Sequence, residues 1–329
     1  MLNLLTDIPG LRVGHATDLA LGSGVTAILF DTPATASGVI GGGAPGGRDT
    51  ELLRPEMSVG QVNGFVLSGG STFGLDAAGG VQAALREDGR GLAFGRMRIP
   101  LAPQAILFDL LNGGNKDWGR FSPYRELGYE AARAARPGNF ALGSVGVGTG
   151  ATTATAKGGI GSASALTRAG HRVAAIVAVN ALGSALVGEG PHFWAAPFEE
   201  GAEFGGLGLP IPMLPEHRAP RLKGLSGTAT TIGLVATDAA LDKAQLHRLA
   251  RMADDGIARA ILPAHAPLDG DTMFAASTGA RALGNAVAEL TEIGHAATLA
   301  VARAVARGVF EATALPWPDA MPAWKDRFV

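Results

Sequence analysis

Short apolar runs bounded by Gly, Pro or Asp recur along the chain, and they restrict the possible folds more than any other feature. Runs rich in β-branched and apolar residues between turn-forming residues are typical of buried strands. A chain with several such runs must bury them in a sheet. The predicted strands are VTAILF (25–30), GFVLSGG (64–70), RVAAIVAVN (172–180), TTIGLVATD (230–238) and DTMFAAST (271–278).

Helical patterns lie between these strands. Over residues 241–260, apolar residues recur at i, i+3, i+4, i+7 and i+11 from Leu246, which predicts an amphipathic helix. An alanine-rich helix is predicted over roughly 282–311, and a third helix is predicted along STFGLDAAGGVQAAL (71–85). The fold class is therefore mixed α and β.

No segment rich in Pro or Ser divides the chain, so a single domain is predicted over residues 1–329. Glycine is frequent, at 49 of 329 residues, and it occurs in clusters that include 41–47 and 143–150. Many backbone segments must therefore turn tightly or pass close together. The longest stretch with neither helical nor strand periodicity is 210–229, which predicts a surface or mobile loop that ends directly before Thr230.

The charge and cysteine content exclude several classes of function. A net charge of −2 gives no basic surface for nucleic acid or for an anionic membrane, so neither is an expected partner. The absence of cysteine excludes disulfides, thiolate catalysis and cysteine metal sites, and it fits a reducing cytoplasm. The sequence begins with MLNLLTDIPG, which lacks the pattern of a signal peptide, and no long uncharged apolar run follows. We expect a cytoplasmic protein.

Common catalytic signatures are missing as well. The seven histidines show no H-x-H or H-E-x-x-H spacing, which predicts structural or surface roles for them and no metal site. No serine lies in a G-x-S-x-G frame, and GVGTGA (146–151) lacks the spacing of a dinucleotide-binding loop. The sequence predicts neither a metal nor a cofactor.

Threonine remains as a possible nucleophile. A threonine at the start of a polypeptide can use its own α-amino group, with an ordinary pKa of about 7.7–8.0, to accept the hydroxyl proton. Thr230 has a suitable context, because a loop precedes it and the apolar strand TIGLVA follows it. A strand can also begin with threonine for no catalytic reason, because threonine favours strands.

Four other polar residues are candidates for the same site. Asp269 and Asp271 lie two apart in LDGDTMF, so an extended backbone directs both carboxylates to one side. Asn180 ends an apolar run, where its amide can stabilise an oxyanion, and Lys157 lies in a glycine-rich segment. Each also has an ordinary interpretation: an Asp-Gly turn, a capping asparagine and a loop lysine.

Six segments in order resemble the self-cleaving aminopeptidases that also act as D-amino-acid esterases and amidases. That family includes β-peptidyl aminopeptidases and the nylon-oligomer endohydrolases. The resemblance extends over nearly the whole chain. The segments are LTDIPGLRVGHATD (5–18), LSGGSTFGLDAAGGV (67–81), GSVGVGTGATTATAKGGIGSAS (143–164), VAVNALG (177–183), TTIGLVATDAAL (230–241) and DGDT (269–272).

The resemblance implies an α+β fold, an αββα four-layer sandwich of the N-terminal-nucleophile type that ornithine acetyltransferases share. It implies a homotetramer or another oligomer, and a precursor that cuts itself into an α fragment (1–229) and a β fragment (230–329). Matched by motif, Thr230 corresponds to the nucleophile that the cut exposes, and Asn180 to the oxyanion asparagine. Asp269 and Asp271 correspond to paired carboxylates that orient the nucleophile, and Lys157 to a lysine that offsets their charge.

The chain departs from the family pattern at two places. Ala229 precedes the nucleophile where the family usually has Asn or Gly, and an Ala-Thr bond is characteristic of ornithine acetyltransferases. The family's pocket tyrosine has no clear counterpart, so Trp118, Phe121 or Tyr124 is expected to line the substrate pocket.

The predicted activity is hydrolysis of small peptides, amino-acid amides or esters. Cleavage of 6-aminohexanoate oligomers, acyl transfer of the ornithine acetyltransferase type and a member that never matures stay open as alternatives.

Overall fold

The structure is a computed structural model that describes residues 1–224 and 229–329. The described residues form eleven strands and five α-helices. The strands are β1 (Leu11–Asp18), β2 (Ser23–Ile40), β3 (Gly47–Arg48), β4 (Gln61–Ser68), β5 (Leu92–Phe94), β6 (Met97–Ile99), β7 (Gln104–Ile106), β8 (Gly159–Leu166), β9 (Arg172–Asn180), β10 (Thr230–Ala239) and β11 (Thr272–Arg281). The helices are α1 (Ala77–Glu87), α2 (Tyr124–Ala134), α3 (Lys243–Ala260), α4 (Ala286–Phe310) and α5 (Trp324–Phe328).

The five predicted strands are confirmed as β2, β4, β9, β10 and β11, and the three predicted helices as α1, α3 and α4. In the predicted loop 210–229, the described residues contain one short 3-10 helix, Pro215–Arg218, before β10. Residues 225–228 of that loop lie outside the described part of the chain. None of the described helices combines the length and hydropathy needed to cross a bilayer.

Nine strands are joined by hydrogen bonds in the order β3-β7-β4-β2-β11-β10-β9-β8, with β1 also paired to β2. The long strand β2 links two halves of this sheet. Its first part, residues 23–30, pairs with β1, whereas residues 35–40 pair with β11. Because β2 takes part in both halves, the two can lie face to face while remaining one hydrogen-bonded network.

The packing shows four layers. On β9, Val177 faces a core shared with α3 and α4. Its neighbour Ile176 points to the opposite face of the strand, into a core shared with β2 and β4. Successive strand residues point to opposite faces, so a strand covered on both sides must be apolar at every position. Phe65 on β4 stacks on Phe274 on β11 at 4.6 Å between ring centroids, inside the central core. Helices α1 and α2 cover the other outer face, which confirms the αββα sandwich.

Strand β10 lies inside this sandwich, antiparallel to β9 and parallel to β11. All ten of its residues are buried. The strand therefore begins in the interior, and its first residue lies beside the last residue of β9 and the segment that leads into β11.

Candidate active site

Thr230, the first residue of β10, pairs with Asn180, the last residue of β9. Both are buried, with Thr230 only 4% exposed. The Thr230 hydroxyl donates a hydrogen bond to the carbonyl oxygen of Ala229, the residue directly before it. The hydroxyl of the predicted nucleophile is thus in contact with the carbonyl group of the peptide bond predicted to be cut.

A second donor binds the same carbonyl. The backbone N–H of Gly270 lies 2.9 Å from the Ala229 oxygen, and Ala229 forms a parallel bridge with Asp269. A Cβ atom at residue 270 would lie 2.6 Å from Thr230 Oγ1, so only glycine leaves room for this approach. The segment before β11 therefore supplies a polarising donor at the reactive carbonyl group.

Asp271 connects the nucleophile strand to the loop between α3 and β11. Its Oδ1 accepts a hydrogen bond from the Thr231 N–H at 2.6 Å, and its Oδ2 accepts from the backbone N–H of His265 at 3.1 Å. The Nδ1 atom of the His265 ring lies 3.0 Å from the same Oδ2. Because Asp271 is 2% exposed, these donors replace water around its carboxylate.

Asp269 is equally buried but less satisfied. Its Oδ2 accepts a hydrogen bond from the Ala266 N–H at 2.8 Å, whereas its Oδ1 has no hydrogen-bond partner among the described residues. Burial raises the pKa of Asp269 to about 6, and the negative charge of Asp271 adds to this increase. The bridge between Ala229 and Asp269 places this carboxylate-bearing residue next to the 229–230 peptide bond.

The Asn180 side chain is fixed by three groups. Its Oδ1 accepts hydrogen bonds from the Thr152 N–H at 3.0 Å and from the Lys223 amine at 2.8 Å. Its Nδ2 donates to the Phe108 carbonyl at 2.8 Å. These partners determine the orientation of the amide, because its oxygen must face the two donors. The described residues use one N–H of this amide, and the second can donate to another acceptor.

Lys157 differs from its predicted role. Its amine, 1% exposed, donates to the carbonyl groups of Gly148, Ala151 and Gly158, and to neither aspartate. Burial lowers its pKa to about 7, and the positive charge of Lys223 contributes. The glycine-rich segment folds around the lysine and satisfies it internally, so it does not neutralise the two aspartates.

Lys223, a lysine that the sequence did not suggest, contacts the candidate site instead. Its amine contacts Asn180, and burial lowers its pKa to about 7 although the negative charges of Asp109 and Asp269 oppose the decrease. Sequence reasoning missed this lysine, because it lies in the segment read as a surface loop. The one available signal was its place shortly before the predicted cleavage site.

The three predicted pocket residues are not together at this site. Tyr124 is fully buried and donates to the Ser23 hydroxyl at 3.0 Å, so the prediction that it can contact substrate is wrong for this structure. The reason is its place at the start of α2, where the ring faces the core. Trp118 and Phe121 line a separate cavity of about 470 Å³ together with Phe73.

A larger cavity, of about 650 Å³, lies beside Asn180. Phe108, Thr152 and Lys223, the three residues that hold the Asn180 amide, all line it. Other lining residues come from the C-terminal segment and include Trp317. The cavity therefore brings a mainly apolar wall to the candidate active site. Among the described residues, no group of three or more His, Asp or Glu side chains is placed to hold a metal ion.

Comparison with known proteins shows what the whole chain is similar to. The model of peptidase family S58 matches residues 3–321. An uncharacterized aminopeptidase of Mycobacterium tuberculosis (strain ATCC 25618 / H37Rv) is 39% identical, over 99% of this chain and 98% of the relative. A 6-aminohexanoate-oligomer endohydrolase of Kocuria sp. (strain KY2) is 28% identical, over 83% of this chain and 74% of the relative.

The solved structures support the fold. The L-aminopeptidase D-Ala-esterase/amidase from Ochrobactrum anthropi superimposes with a TM-score of 0.69 at 21% identity, covering 98% of this chain and 90% of that one. That structure is described as a variant of the Ntn hydrolase fold. At this level of identity the similarity bears on the fold alone.

Proposed function

The chain belongs to peptidase family S58, and from that premise we propose that it is a self-processing amide hydrolase whose nucleophile is Thr230. One observation carries the proposal: the Thr230 hydroxyl contacts the Ala229 carbonyl, which also accepts the Gly270 N–H. A hydroxyl beside a carbonyl group that is already polarised is the arrangement needed for an acyl shift between neighbouring residues.

In the first step, Thr230 Oγ attacks the Ala229 carbonyl carbon. The C–N bond breaks, the acyl group moves to oxygen, and the nitrogen becomes a free amine. Water then hydrolyses the ester and leaves a carboxylate on Ala229 and a hydroxyl on Thr230. Gly270 donates to the oxygen that becomes negative during the attack, at 2.9 Å in the uncut chain. The products are fragments 1–229 and 230–329.

The two fragments are expected to stay in one folded domain. Strand β10 begins the second fragment, yet it pairs with β9, which belongs to the first. Strand β11 likewise pairs with β2 of the first fragment. Cutting at residue 229 breaks none of these ladders, so maturation changes the chemistry at Thr230 without separating the sheet.

In the mature enzyme, the free amine of Thr230 accepts the proton of its own hydroxyl, which then attacks a substrate amide. Asn180 donates the remaining N–H of its amide to the oxyanion. Asp271 holds the neighbouring Thr231 N–H at 2.6 Å, and Asp269 Oδ1, for which the described residues supply no hydrogen-bond partner, can accept a hydrogen bond from the new amine. Water hydrolyses the acyl-enzyme and regenerates the amine.

The substrate class follows from the cavity beside Asn180. Its aromatic and aliphatic wall, with Phe108 and Trp317, suits an apolar acyl group, whereas Lys223 and Asp319 add polar groups to the lining. Small peptides and amino-acid amides with an apolar first residue fit this description. The cavity lined by Trp118 and Phe121 shares none of its lining residues with this one.

A second candidate activity is cleavage of 6-aminohexanoate oligomers, favoured by the similarity to the Kocuria enzyme that carries that name. Hydrolysis of amino-acid p-nitroanilides and of 6-aminohexanoate oligomers by the same preparation separates the two. We also propose a homotetramer, which light scattering tests, and a cytoplasmic location, for which the lack of cysteine is the supporting feature.

The decisive experiment is the intact mass of purified protein. We expect two fragments that meet between Ala229 and Thr230, and a single uncut, inactive chain for Thr230→Ala. Thr231→Ala is the matched control, because it removes the neighbouring hydroxyl and keeps the backbone N–H that Asp271 binds; it should be cut. Hydrolysis by material in which residues 229 and 230 remain joined would exclude the proposed mechanism.

A further inference from the structure

His265 lies between two carboxylates behind the candidate active site. Its Nδ1 atom is 3.0 Å from Asp271 Oδ2, and its Nε2 atom is 3.6 Å from Asp254 Oδ2. The other oxygen of Asp271 binds the Thr231 N–H. A continuous series of polar contacts therefore connects helix α3, through an imidazole ring and a carboxylate, to the strand that carries Thr230.

We propose that His265 and Asp254 are positioning residues, which keep the Asp271 carboxylate oriented and thereby fix the backbone beside the nucleophile. The proposal rests on the proposed role of Thr230. Neither residue touches the reacting atoms; both act through Asp271. Sequence spacing predicted no such role for any histidine.

The local backbone is built around this contact. His265 has φ of +56°, a conformation rare for residues other than glycine, which aims both its N–H and its ring at Asp271. Gly41, directly after β2, leaves room for the side chains of Asp254 and His265. A Cβ there would lie 2.8 Å from Asp254 Oδ2 and 2.9 Å from His265 Nδ1, and the Gly41 N–H donates to the Asp271 carbonyl at 2.9 Å. Such strain persists only where the surrounding structure enforces it.

The charges around the ring favour its protonated form. The hydrogen bond to Asp271 raises the pKa of His265; the negative charges of Asp254, Asp271 and Asp269 act in the same direction, and burial opposes them. Burial and the negative charge of Asp271 raise the pKa of Asp269 to about 6, although His265 opposes the increase. Asp271 thus contacts the ring directly, whereas Asp269 has a pKa at which it can exchange a proton near pH 6.

Asp254 is the deeper member of the series. It lies on α3, 6% exposed, and its Oδ1 has no hydrogen-bond partner among the described residues. Burial raises the pKa of Asp254 to about 6, with Asp271 and Asp255 contributing, and His265 and Arg251 opposing. The negative charge of this buried carboxylate, close to the ring, favours the protonated form of His265.

The pH dependence follows from these signs. As the pH rises through the raised pKa of His265, the ring loses its charge, and the ion pair with Asp271 is lost. Hydrolysis is therefore expected to fall on the alkaline side of its optimum. Deprotonation of the Thr230 amine governs the acidic side.

The first test is His265→Asn, because asparagine tolerates a positive φ and does not titrate. We expect kcat to fall about 10- to 100-fold with KM changed less than about twofold, since small displacements of a positioned nucleophile have effects of this size. The alkaline decrease set by His265 should disappear. Asp254→Asn should move that decrease to lower pH. The control is His247→Asn, on the same helix as Asp254, where Nδ1 lies 3.1 Å from the Gly38 carbonyl and contacts none of these carboxylates.

The second test measures the ring directly. Titration of wild-type protein labelled in histidine should give His265 a pKa above its ordinary value of 6.5, and Asp254→Asn should lower it. A His265 pKa at or below that value in folded protein would overturn the inference, whatever the activity. So would His265→Asn with wild-type kcat and an unchanged alkaline limb. If wild-type protein is neither cut nor active, the proposed function fails instead, and the titration still tests the ion pair.

Discussion

The Gly270 N–H donates to the Ala229 carbonyl oxygen at 2.9 Å, across a parallel bridge that joins residues 229 and 269. The Thr230 hydroxyl contacts the same oxygen. In the uncut chain this carbonyl is therefore held by two donors, in a part of the molecule that is almost closed to solvent. A carbonyl group in a β ladder ordinarily accepts one backbone N–H. The additional donor here is the Thr230 hydroxyl, so it depends on the side chain at residue 230.

Gly270→Ala tests this arrangement. The added Cβ would lie 2.6 Å from Thr230 Oγ1 and 3.0 Å from the Ala44 carbonyl, so the hydroxyl or the loop must move. We expect self-cleavage to slow by about 100-fold, because misplacing a reacting group by about 1 Å has that effect. The fraction of cut chain over time on a denaturing gel measures it. Gly60→Ala is the control, since nothing lies within 4 Å of a Cβ there; equal rates for the two variants would contradict the expected result.

Asn180 has two possible roles, and two substitutions distinguish them. Asn180→Ala should reduce kcat by about 10²- to 10³-fold through the lost oxyanion donor. Asn180→Asp keeps oxygens for the Thr152 N–H and the Lys223 amine, but it cannot donate to the Phe108 carbonyl or to an oxyanion. It should be as slow as the alanine variant. Steady-state hydrolysis measures both, and wild-type turnover by Asn180→Asp would restrict the residue to a scaffolding role.

Hydrophobic pattern was sufficient for the central strands, because β9 and β10 are buried on both faces and are apolar at nearly every position. It did not reveal β8 or α2. Strand β8 is GIGSASAL, a run of small residues with little strand propensity, and it forms because α4 packs closely over it. Such elements depend on tertiary contacts, which periodicity does not report.

The residues of the candidate site were likewise predicted only in part from the sequence. Motif resemblance selected Thr230, Asn180, Asp269 and Asp271 as candidates, and the structure brings these four together. It did not distinguish Lys157 from Lys223, because the two lysines differ in which groups surround the amine. The contribution of His265 depends on a left-handed backbone that no spacing rule describes. Motifs record residue types along the chain, whereas the direction of a side chain is decided by packing.

The buried amine of Lys157 should make the free energy of unfolding depend on pH. Its pKa is lowered by burial to about 7 in the fold, from an ordinary 10.5. Between these values the unfolded chain holds a proton that the folded protein has released, so the free energy of unfolding rises with pH, by at most about 1.4 kcal/mol per unit. Lys157→Met should reduce this slope between about pH 7.5 and 9.5. Urea unfolding at several pH values measures it, and an unchanged slope would contradict the assignment.

Arg303 on α4 anchors a buried network away from the active site. Its guanidinium, 2% exposed, binds the two carboxylate oxygens of Glu203 at 2.5 and 3.1 Å, and it also contacts Glu200 at 2.9 Å. It donates to the Ser164 carbonyl and to the Asn3 side chain as well, which ties the N-terminal segment to β8. Burial alone would raise the pKa of Glu203, but the hydrogen bond and charge of Arg303 outweigh it and lower that pKa.

Glu203→Ala is expected to lower the free energy of unfolding by about 3–5 kcal/mol, because it leaves a buried guanidinium without its main counter-ion. Glu200→Ala is the matched control: the side chain of Glu200 is 67% exposed, and its loss should have an effect of about 1 kcal/mol or less. Urea denaturation at pH 7 measures both. The difference should shrink as the pH falls through the lowered pKa of Glu203, since protonation removes the anion that the substitution deletes. Equal effects of the two variants would mean that burial does not govern the strength of these ion pairs.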